Sequence, residues 1–189
     1  VCVPQLSELG WNGSSGLDIA RCVSRMQELQ PDTVILLPQI LSALVDYLEQ
    51  AGQRLGFLKF AAVGGARTAP SLLLKARELG IPVYEGYGLS ECASVVSLNL
   101  PGADRPGSVG RTLDIREVRL SGKGHLLVRN QGFLGYAGSR EKSPDWLPTG
   151  DIGSVDEQGF WHIHGRCKNI LITGYGRNLS PEWVEAELL

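Results

Sequence analysis

A chain of 189 residues is long enough for one large domain or two small ones, and 43% hydrophobic residues supply a core. The formal net charge of -2, without a run of Lys or Arg, argues against a nucleic-acid surface. No apolar stretch approaches the ~20 residues that span a bilayer, and the opening residues carry no charged-then-apolar leader, so no membrane span is expected. The four cysteines, Cys2, Cys22, Cys92 and Cys167, are scattered without a CxxC pair, which fits reduced thiols and a cytoplasmic setting. The sequence opens Val1-Cys2-Val3-Pro4 without Met and closes on Glu187-Leu188-Leu189 inside a helical pattern, so both ends are expected to be cuts in a longer polypeptide.

The first half alternates helix and strand patterns. Ile19, Val23, Met26 and Leu29 recur at helical spacing, and Pro31 closes that segment. Residues 33–37 form a β-branched and apolar run before Pro38, which predicts a buried strand. Ile40, Leu41, Leu44, Val45 and Leu48 predict the next helix, and Gly52 stops it. A second buried strand is predicted over 58–63, running into Gly64-Gly65. A helix opens at Pro70 and carries Leu72, Leu73, Ala76 and Leu79 to Gly80. Short strands follow at 82–84 and 95–98. This alternation predicts a mostly parallel sheet with flanking helices.

Composition changes near Pro101. From Gly107 onward the pattern is short strands and many glycines. Segments 116–120 and 125–128 flank a Ser-Gly-Lys-Gly turn, and 152–155 and 160–164 flank Asp156-Glu157-Gln158-Gly159, a hairpin signal. A strand at 170–173 precedes Ser180-Pro181-Glu182, which reads as a capped helix start. The expected class is α/β: a parallel sheet with helices over 1–100, a small antiparallel β-barrel-like subdomain over 101–167, and at 168–189 the start of a mobile C-terminal domain.

Four constellations can carry chemistry. In Val63-Gly64-Gly65-Ala66 a buried strand ends in residues with little side chain, which lets a flat ligand approach the backbone; an ordinary strand-to-helix turn has the same look. In Glu85-Gly86-Tyr87-Gly88-Leu89-Ser90-Glu91 an aromatic between glycines can offer its face to a purine. The Ser hydroxyl there can bond a phosphate oxygen, and the Glu carboxylate can hold Mg²⁺; a glycine turn with a capping Ser is the bland alternative. In Pro148-Thr149-Gly150-Asp151 a carboxylate can accept both hydroxyls of a ribose or simply stabilise its own turn. Gly165-Arg166-Cys167-Lys168-Asn169 and Gly174-Tyr175-Gly176-Arg177 put basic residues and two glycine turns around an apolar strand, which suits an anionic ligand, a movable junction or a solvated hairpin.

These segments arrive in a recognisable order. VGGA, EGYGLSE, PGSVGRTL, LPTGDIG and GRCKNILITGYGRNLSPEWVEAEL resemble successive signature segments of the adenylate-forming superfamily, which contains acyl-CoA synthetases, luciferases and the adenylation domains of peptide synthetases. The resemblance is clearest over 58–189. It implies an enzyme that turns a carboxylic acid and Mg-ATP into an acyl-adenylate with release of pyrophosphate, then passes the acyl group to coenzyme A. A fatty acid is among the implied substrates, and fatty acid metabolism among the implied settings. By motif match, Tyr87 stacks on adenine, and Gly64, Gly65, Ala66 and Gly86 line the adenine and acyl pocket. Ser90 touches phosphate and Glu91 holds Mg²⁺. Asp151 binds the ribose, with Arg166 near it. Lys168 falls at the interdomain hinge, and Gly174, Tyr175 and Gly176 form the thiol-side loop.

The departures are specific. Position 90 is Ser where Thr is more typical, and the hinge is Lys where many members carry Asp. The family's phosphate loop, rich in Ser, Thr and Gly and carrying a Lys, is expected before Val1; Gly13-Ser14-Ser15-Gly16 lacks the following Lys and reads as a linker turn. The late Lys that meets the substrate carboxylate is expected beyond Leu189, so the 189-residue chain alone is expected to be inactive. An adenylation domain loading a carrier protein and a non-catalytic binding module are the alternatives. His162, His164 and Cys167 invite a zinc reading but lack a fourth ligand. Cys92 reads as a small buried thiol, and Trp146, Trp161 and Trp183 as covers over core edges.

Overall fold

In the computed structural model of the protein, which describes residues 5, 7–11, 16–139, 142–169, 171–172 and 178–188, the chain divides into two units. These are Val1–Val63 with Pro70–Val83, and Gly64–Ala69 with Tyr84–Leu189.

The first unit follows the apolar spacing of its sequence. Helix α1 (Ile19–Leu29) starts where Asp18 accepts the Arg21 amide at 3.0 Å, and it ends at Gln30 in the left-handed conformation, one residue before Pro31. Strand β1 (Thr33–Leu36) leads into α2 (Pro38–Ala51), whose first position is the proline that needs no amide partner there. Strand β2 (Phe60–Val63) runs parallel to β1 in the register Thr33↔Phe60 to Leu36↔Val63. Helix α3 (Pro70–Glu78) opens on its expected proline. The core gathers Val23 and Met26 of α1, Leu41, Leu44, Val45 and Leu48 of α2, Leu73 and Ala76 of α3, with Leu55, Ala61, Val63, Ile81 and Val83. Burial of this apolar set is what holds the unit together.

The longer stretch of the second unit, Tyr84–Leu189, starts within β3 (Val83–Leu89). The glycine-tyrosine segment expected as a turn continues this strand. A 3₁₀ turn (Ser90–Cys92) reverses the chain into β4 (Ser94–Leu98), which pairs antiparallel with β3; β5 (Arg111–Thr112) pairs antiparallel with β4. A connection this short cannot make the crossover that a parallel pair needs, so strand pairing is mixed rather than uniformly parallel. The turn also explains Gly88: a Cβ there would lie 1.8 Å from the Ser94 carbonyl oxygen, so no side chain fits.

Strands β6 (Val118–Leu120), β7 (His125–Arg129), β8 (Trp146–Val155) and β9 (Trp161–Arg166) form a four-stranded antiparallel sheet in sequence order. Register shifts between His125 and Leu127 and between Ile152 and Gly153 add local twist and curl the sheet into a half-barrel. Cys92, Val96, Val128 and Leu147 form its core, with Tyr87, Leu89, Val118 and Phe133 packed against them. Trp161 is buried and donates its indole N–H to Thr112 at 2.7 Å. Trp146 lies under the Arg119 guanidinium at 3.9 Å. A short antiparallel pair, β10 (Leu171–Ile172) and β11 (Asn178–Leu179), precedes α4 (Pro181–Leu188). Among the described residues no helix is long and apolar enough to cross a membrane.

Leu44 is fully buried among the helices of the first unit. Leu44→Ala should lower unfolding stability by about 2–5 kcal/mol, read from urea midpoints. A loss under about 1 kcal/mol would show that the α2 core position tolerates a cavity.

Candidate functional site

Most of the residues singled out above fall in the second unit and lie on three adjoining pieces of backbone. Tyr87 lies on β3, Asp151 on β8 and Arg166 on β9. Asp151 and Arg166 are cross-strand partners, and the Arg166 Nε lies 3.2 Å from the Asp151 Oδ1. The Tyr87 hydroxyl donates to the other carboxylate oxygen at 2.5 Å. Asp151 is 5% exposed, so its charge is buried against these two groups. Its position departs from the tight turn expected of Pro148-Thr149-Gly150-Asp151: the segment lies inside β8. Gly150 has φ +81°, which a residue with a side chain resists, and the Asp151 amide donates to the Thr149 hydroxyl at 3.1 Å. Burial, and then the Asp151 carboxylate that its hydroxyl bonds, push the Tyr87 phenol far above its ordinary range, so it stays a donor.

Ser90 and Glu91 occupy the 3₁₀ turn after β3, with Ser90 exposed and Glu91 half-buried. The Tyr136 hydroxyl donates to Glu91 Oε1. That bond, a backbone amide and the charge of Arg166 hold the Glu91 carboxyl below its usual range, so it is ionised at neutral pH. Arg166 therefore acts electrostatically on Glu91 as well as pairing with Asp151. Cys92 is buried, and burial pushes its thiol up, which suits the core position expected of it.

Gly64, Gly65 and Ala66 follow β2 directly. Gly64 comes close to Gly86: a Cβ on Gly64 would lie 3.0 Å from the Gly86 carbonyl oxygen. A Cβ on Gly86 would in turn meet Leu98 at 2.8 Å. Gly65 and Ala66 are exposed. Lys168 is exposed in the turn after β9, while Gly174, Tyr175 and Gly176 lie outside the described residues. His162 and His164 do not converge: His162 ring nitrogens lie 3.3 Å from the Gly107 carbonyl and from Asp156, and His164 lies 2.9 Å from the Ser154 hydroxyl. Among the described residues no three His, Cys, Asp or Glu side chains gather as a metal site. A single ionised carboxylate such as Glu91 nevertheless fits Mg²⁺, which keeps several waters and takes its remaining ligands from phosphates.

Three residues were not singled out by the motif reading. Tyr136 meets Glu91 across 45 residues of sequence, a pairing that no local pattern signals. Asn99, fully buried, donates to the carbonyls of Glu85 at 3.0 Å and Ser108 at 2.7 Å and accepts the Arg105 amide at 3.0 Å. The PGSVGRTL segment is thereby fastened to the start of β3. Glu85, 4% exposed, accepts the Thr68 amide at 3.0 Å and so ties the chain just after Gly64-Gly65-Ala66 to the strand that carries Tyr87. A Glu at the first position of EGYGLSE was the available signal. Burial raises its carboxyl to about 7, against the opposing pull of the Thr68 amide and the Arg67 charge.

Because the folded state favours protonated Glu85, it binds more protons than the unfolded chain between pH 4.5 and 7. Its contribution to stability is full below that window and is lost as pH rises through it, on the order of 3 kcal/mol in total. Glu85→Gln keeps an acceptor and removes the charge. The gap between the urea midpoints of wild type and variant should therefore open in the variant's favour from pH 5 to pH 8. The difference between the two proteins cancels other titrating groups, His164 among them; a constant gap would remove Glu85 as the source. Tyr136→Phe should raise the Glu91 pKa toward the ordinary carboxylate range in a ¹³C titration, and an unchanged midpoint would separate the two side chains.

Comparison with known proteins bears on the family and the fold. The family model described as AMP-binding enzyme matches residues 11–135. The chain is 36% identical over 139 residues to the long-chain-fatty-acid–CoA ligase FadD15 of Mycobacterium bovis, covering 70% of this chain and 23% of that protein. It is 34% identical over 160 residues to the 2-succinylbenzoate–CoA ligase of Lactococcus lactis, covering 80% of this chain and 34% of that protein. The chain thus spans about a quarter to a third of the length of these curated relatives. Among solved structures, the anthranilate CoA ligase AuaEII in complex with anthranoyl-AMP superposes with a TM-score of 0.80 at 26% identity, over 89% of this chain and 36% of that one. With the family model matched across most of its length and the fold shared, the chain belongs to the AMP-binding enzyme family.

Proposed function

We propose that this chain is part of an AMP-forming acid–thiol ligase, and that its second unit supplies the adenine and ribose side of the site. In the first half-reaction a substrate carboxylate oxygen attacks the α-phosphorus of ATP. A new P–O bond forms, the bond to the β-phosphate oxygen breaks, and pyrophosphate leaves. In the second, the thiol of coenzyme A gives up its proton to solvent and attacks the acyl carbon, a C–S bond forms, the acyl–phosphate bond breaks, and AMP leaves. The acid is of the kind the relatives' names carry, a fatty acid or an aromatic carboxylic acid.

The observation that carries the reading is the buried Asp151 carboxylate, held between the Tyr87 hydroxyl and the Arg166 guanidinium on three strands. A carboxylate fixed in this way retains lone pairs for ribose hydroxyls. The same hydrogen bond restrains the Tyr87 ring, which lowers the entropy lost when a base stacks on it. Gly64 and Gly86, whose missing side chains let their backbones come close together, are proposed to line the adenine side of the site. Ser90 and the ionised Glu91 sit one turn further on, where phosphates would follow the ribose. Mg²⁺, bound with the nucleotide, would neutralise phosphate charge, and Glu91 is the residue suited to hold it. Lys168 is proposed as the hinge toward residues that serve thiol transfer.

Isotope-labelled chain titrated with AMP should bind with a Kd of ~0.1–1 mM, the range of a weak open half-site, and shift the amides of Gly64, Gly86, Tyr87 and Asp151. Asp151→Asn, which keeps an acceptor for Tyr87, should weaken AMP about ten-fold, and 2′-deoxy-AMP should lose less on the variant than on the wild type. AMP shifts elsewhere on the chain, or equal losses for both nucleotides, would overturn the ribose assignment.

A further inference from the structure

Past Glu91 the backbone does something that residues with side chains resist. Ala93 and Ser94 have φ of +51° and +86°, two consecutive left-handed residues that are not glycine. The Ala93 amide donates to the Ser90 carbonyl at 3.1 Å, and the Ser94 carbonyl fills the space left by the missing side chain of Gly88. Such a course persists only where surrounding groups hold it. One side chain from far along the sequence does so. The Arg116 guanidinium donates through Nη2 to the Cys92 carbonyl at 2.5 Å and through Nε to the Val95 carbonyl at 3.2 Å, one acceptor on each side of the left-handed pair. Its third arm, Nη1, donates to Gln131 at 2.7 Å, and the Gln131 amide donates to the Ile115 carbonyl at 2.7 Å, which fixes the arginine from behind.

We infer that Arg116 is a positioning residue for the nucleotide site: by bracketing Ala93 and Ser94 it holds the 3₁₀ turn in the one course that presents the Ser90 hydroxyl and the Glu91 carboxylate together. The inference rests on the reading of Ser90 and Glu91 as the phosphate-side residues. The planar fork is what the task requires, because two carbonyls on opposite sides of a turn are met at once; an ammonium on a flexible stem reaches one of them at a time. The Arg116 guanidinium bonds the backbone on either side of Ala93 and Ser94 and the Gln131 side chain, so it acts on Ser90 and Glu91 through the backbone.

Arg116→Lys in the 189-residue chain tests this, with Mg-ATP and AMP as probes and the Ala93 amide as reporter. The variant should keep a dispersed NMR spectrum and an unfolding midpoint close to wild type. The Ala93 amide should exchange at least ten-fold faster. Mg-ATP should bind at least five-fold more weakly while AMP, which lacks the outer phosphates, changes by less than two-fold. Wild-type Ala93 exchange in the variant, or faster exchange with unchanged Mg-ATP affinity, overturns the inference; so does an equal loss for both nucleotides, which marks a merely structural role. If neither protein binds Mg-ATP the functional reading fails, and Ala93 exchange alone then decides whether Arg116 holds the turn. Should the lysine variant not fold, Gln131→Ala, which frees the guanidinium from behind, should move Ala93 exchange and Mg-ATP binding in the same directions by about two-fold, and no movement overturns it.

Discussion

The hydrogen bond from Tyr87 to Asp151 joins β3 to the middle of the half-barrel, and the rest of the second unit is arranged around it. A carboxylate that is 5% exposed needs partners for both oxygens. One is the phenol from β3, whose proton is held firmly by burial and by that carboxylate; the other is the guanidinium of Arg166, its neighbour across the β8–β9 ladder. Leaving either partner out would strand a charge in the interior, so the bond constrains where β3 lies relative to β8. The left-handed Gly150 and the register shift after Ile152 bend β8 at this point, which fits a strand that delivers a carboxylate to a site.

From that constraint the neighbouring features follow in sequence. With Tyr87 fixed, β3 runs on through Gly88, whose missing side chain admits the Ser94 carbonyl and lets the chain reverse within a single 3₁₀ turn. The reversal places Glu91 where Arg166 acts on it and where Tyr136 reaches it. At the other end of the strand, Glu85 and Asn99 anchor the backbone on both sides: the Glu85 carboxylate takes the Thr68 amide, and the Asn99 side chain takes the Glu85 carbonyl. Glycine spacing, buried carboxylates and a strained turn are thus parts of one arrangement around a single strand. The cost is visible in Glu85, whose burial opposes its ionisation near neutral pH.

The α/β character and the change to short antiparallel strands were legible because each rests on local periodicity. Helices at Ile19–Leu29, Pro38–Ala51 and Pro70–Glu78 carry apolar residues at three- and four-residue spacing, with proline at or near their boundaries. The glycine-tyrosine segment was less legible. Its glycines read locally as a turn, yet pairing with Ser94–Leu98 draws it into a strand, and ladder hydrogen bonds outweigh the weak local preference of glycine. The same holds for Pro148-Thr149-Gly150-Asp151, which has the composition of a turn and lies inside β8 because β7 and β9 pair on either side.

By itself the sequence determined the residue types at the candidate site: an aromatic between glycines, a hydroxyl beside a carboxylate, an aspartate after a glycine, a basic residue after another. These are short-range patterns, and short-range chemistry produces them. What only the tertiary structure decided is which of these groups share a proton or a charge. Tyr87 and Asp151 are 64 residues apart, Tyr136 and Glu91 45, and Arg116 reaches back 24 residues to Cys92. No spacing rule links such positions, because their separation along the chain is set by loops whose lengths carry no information about contact. They meet only because strand pairing and core burial bring β3, the 3₁₀ turn and the half-barrel together, and a buried polar group must then find its partner wherever the fold has put one.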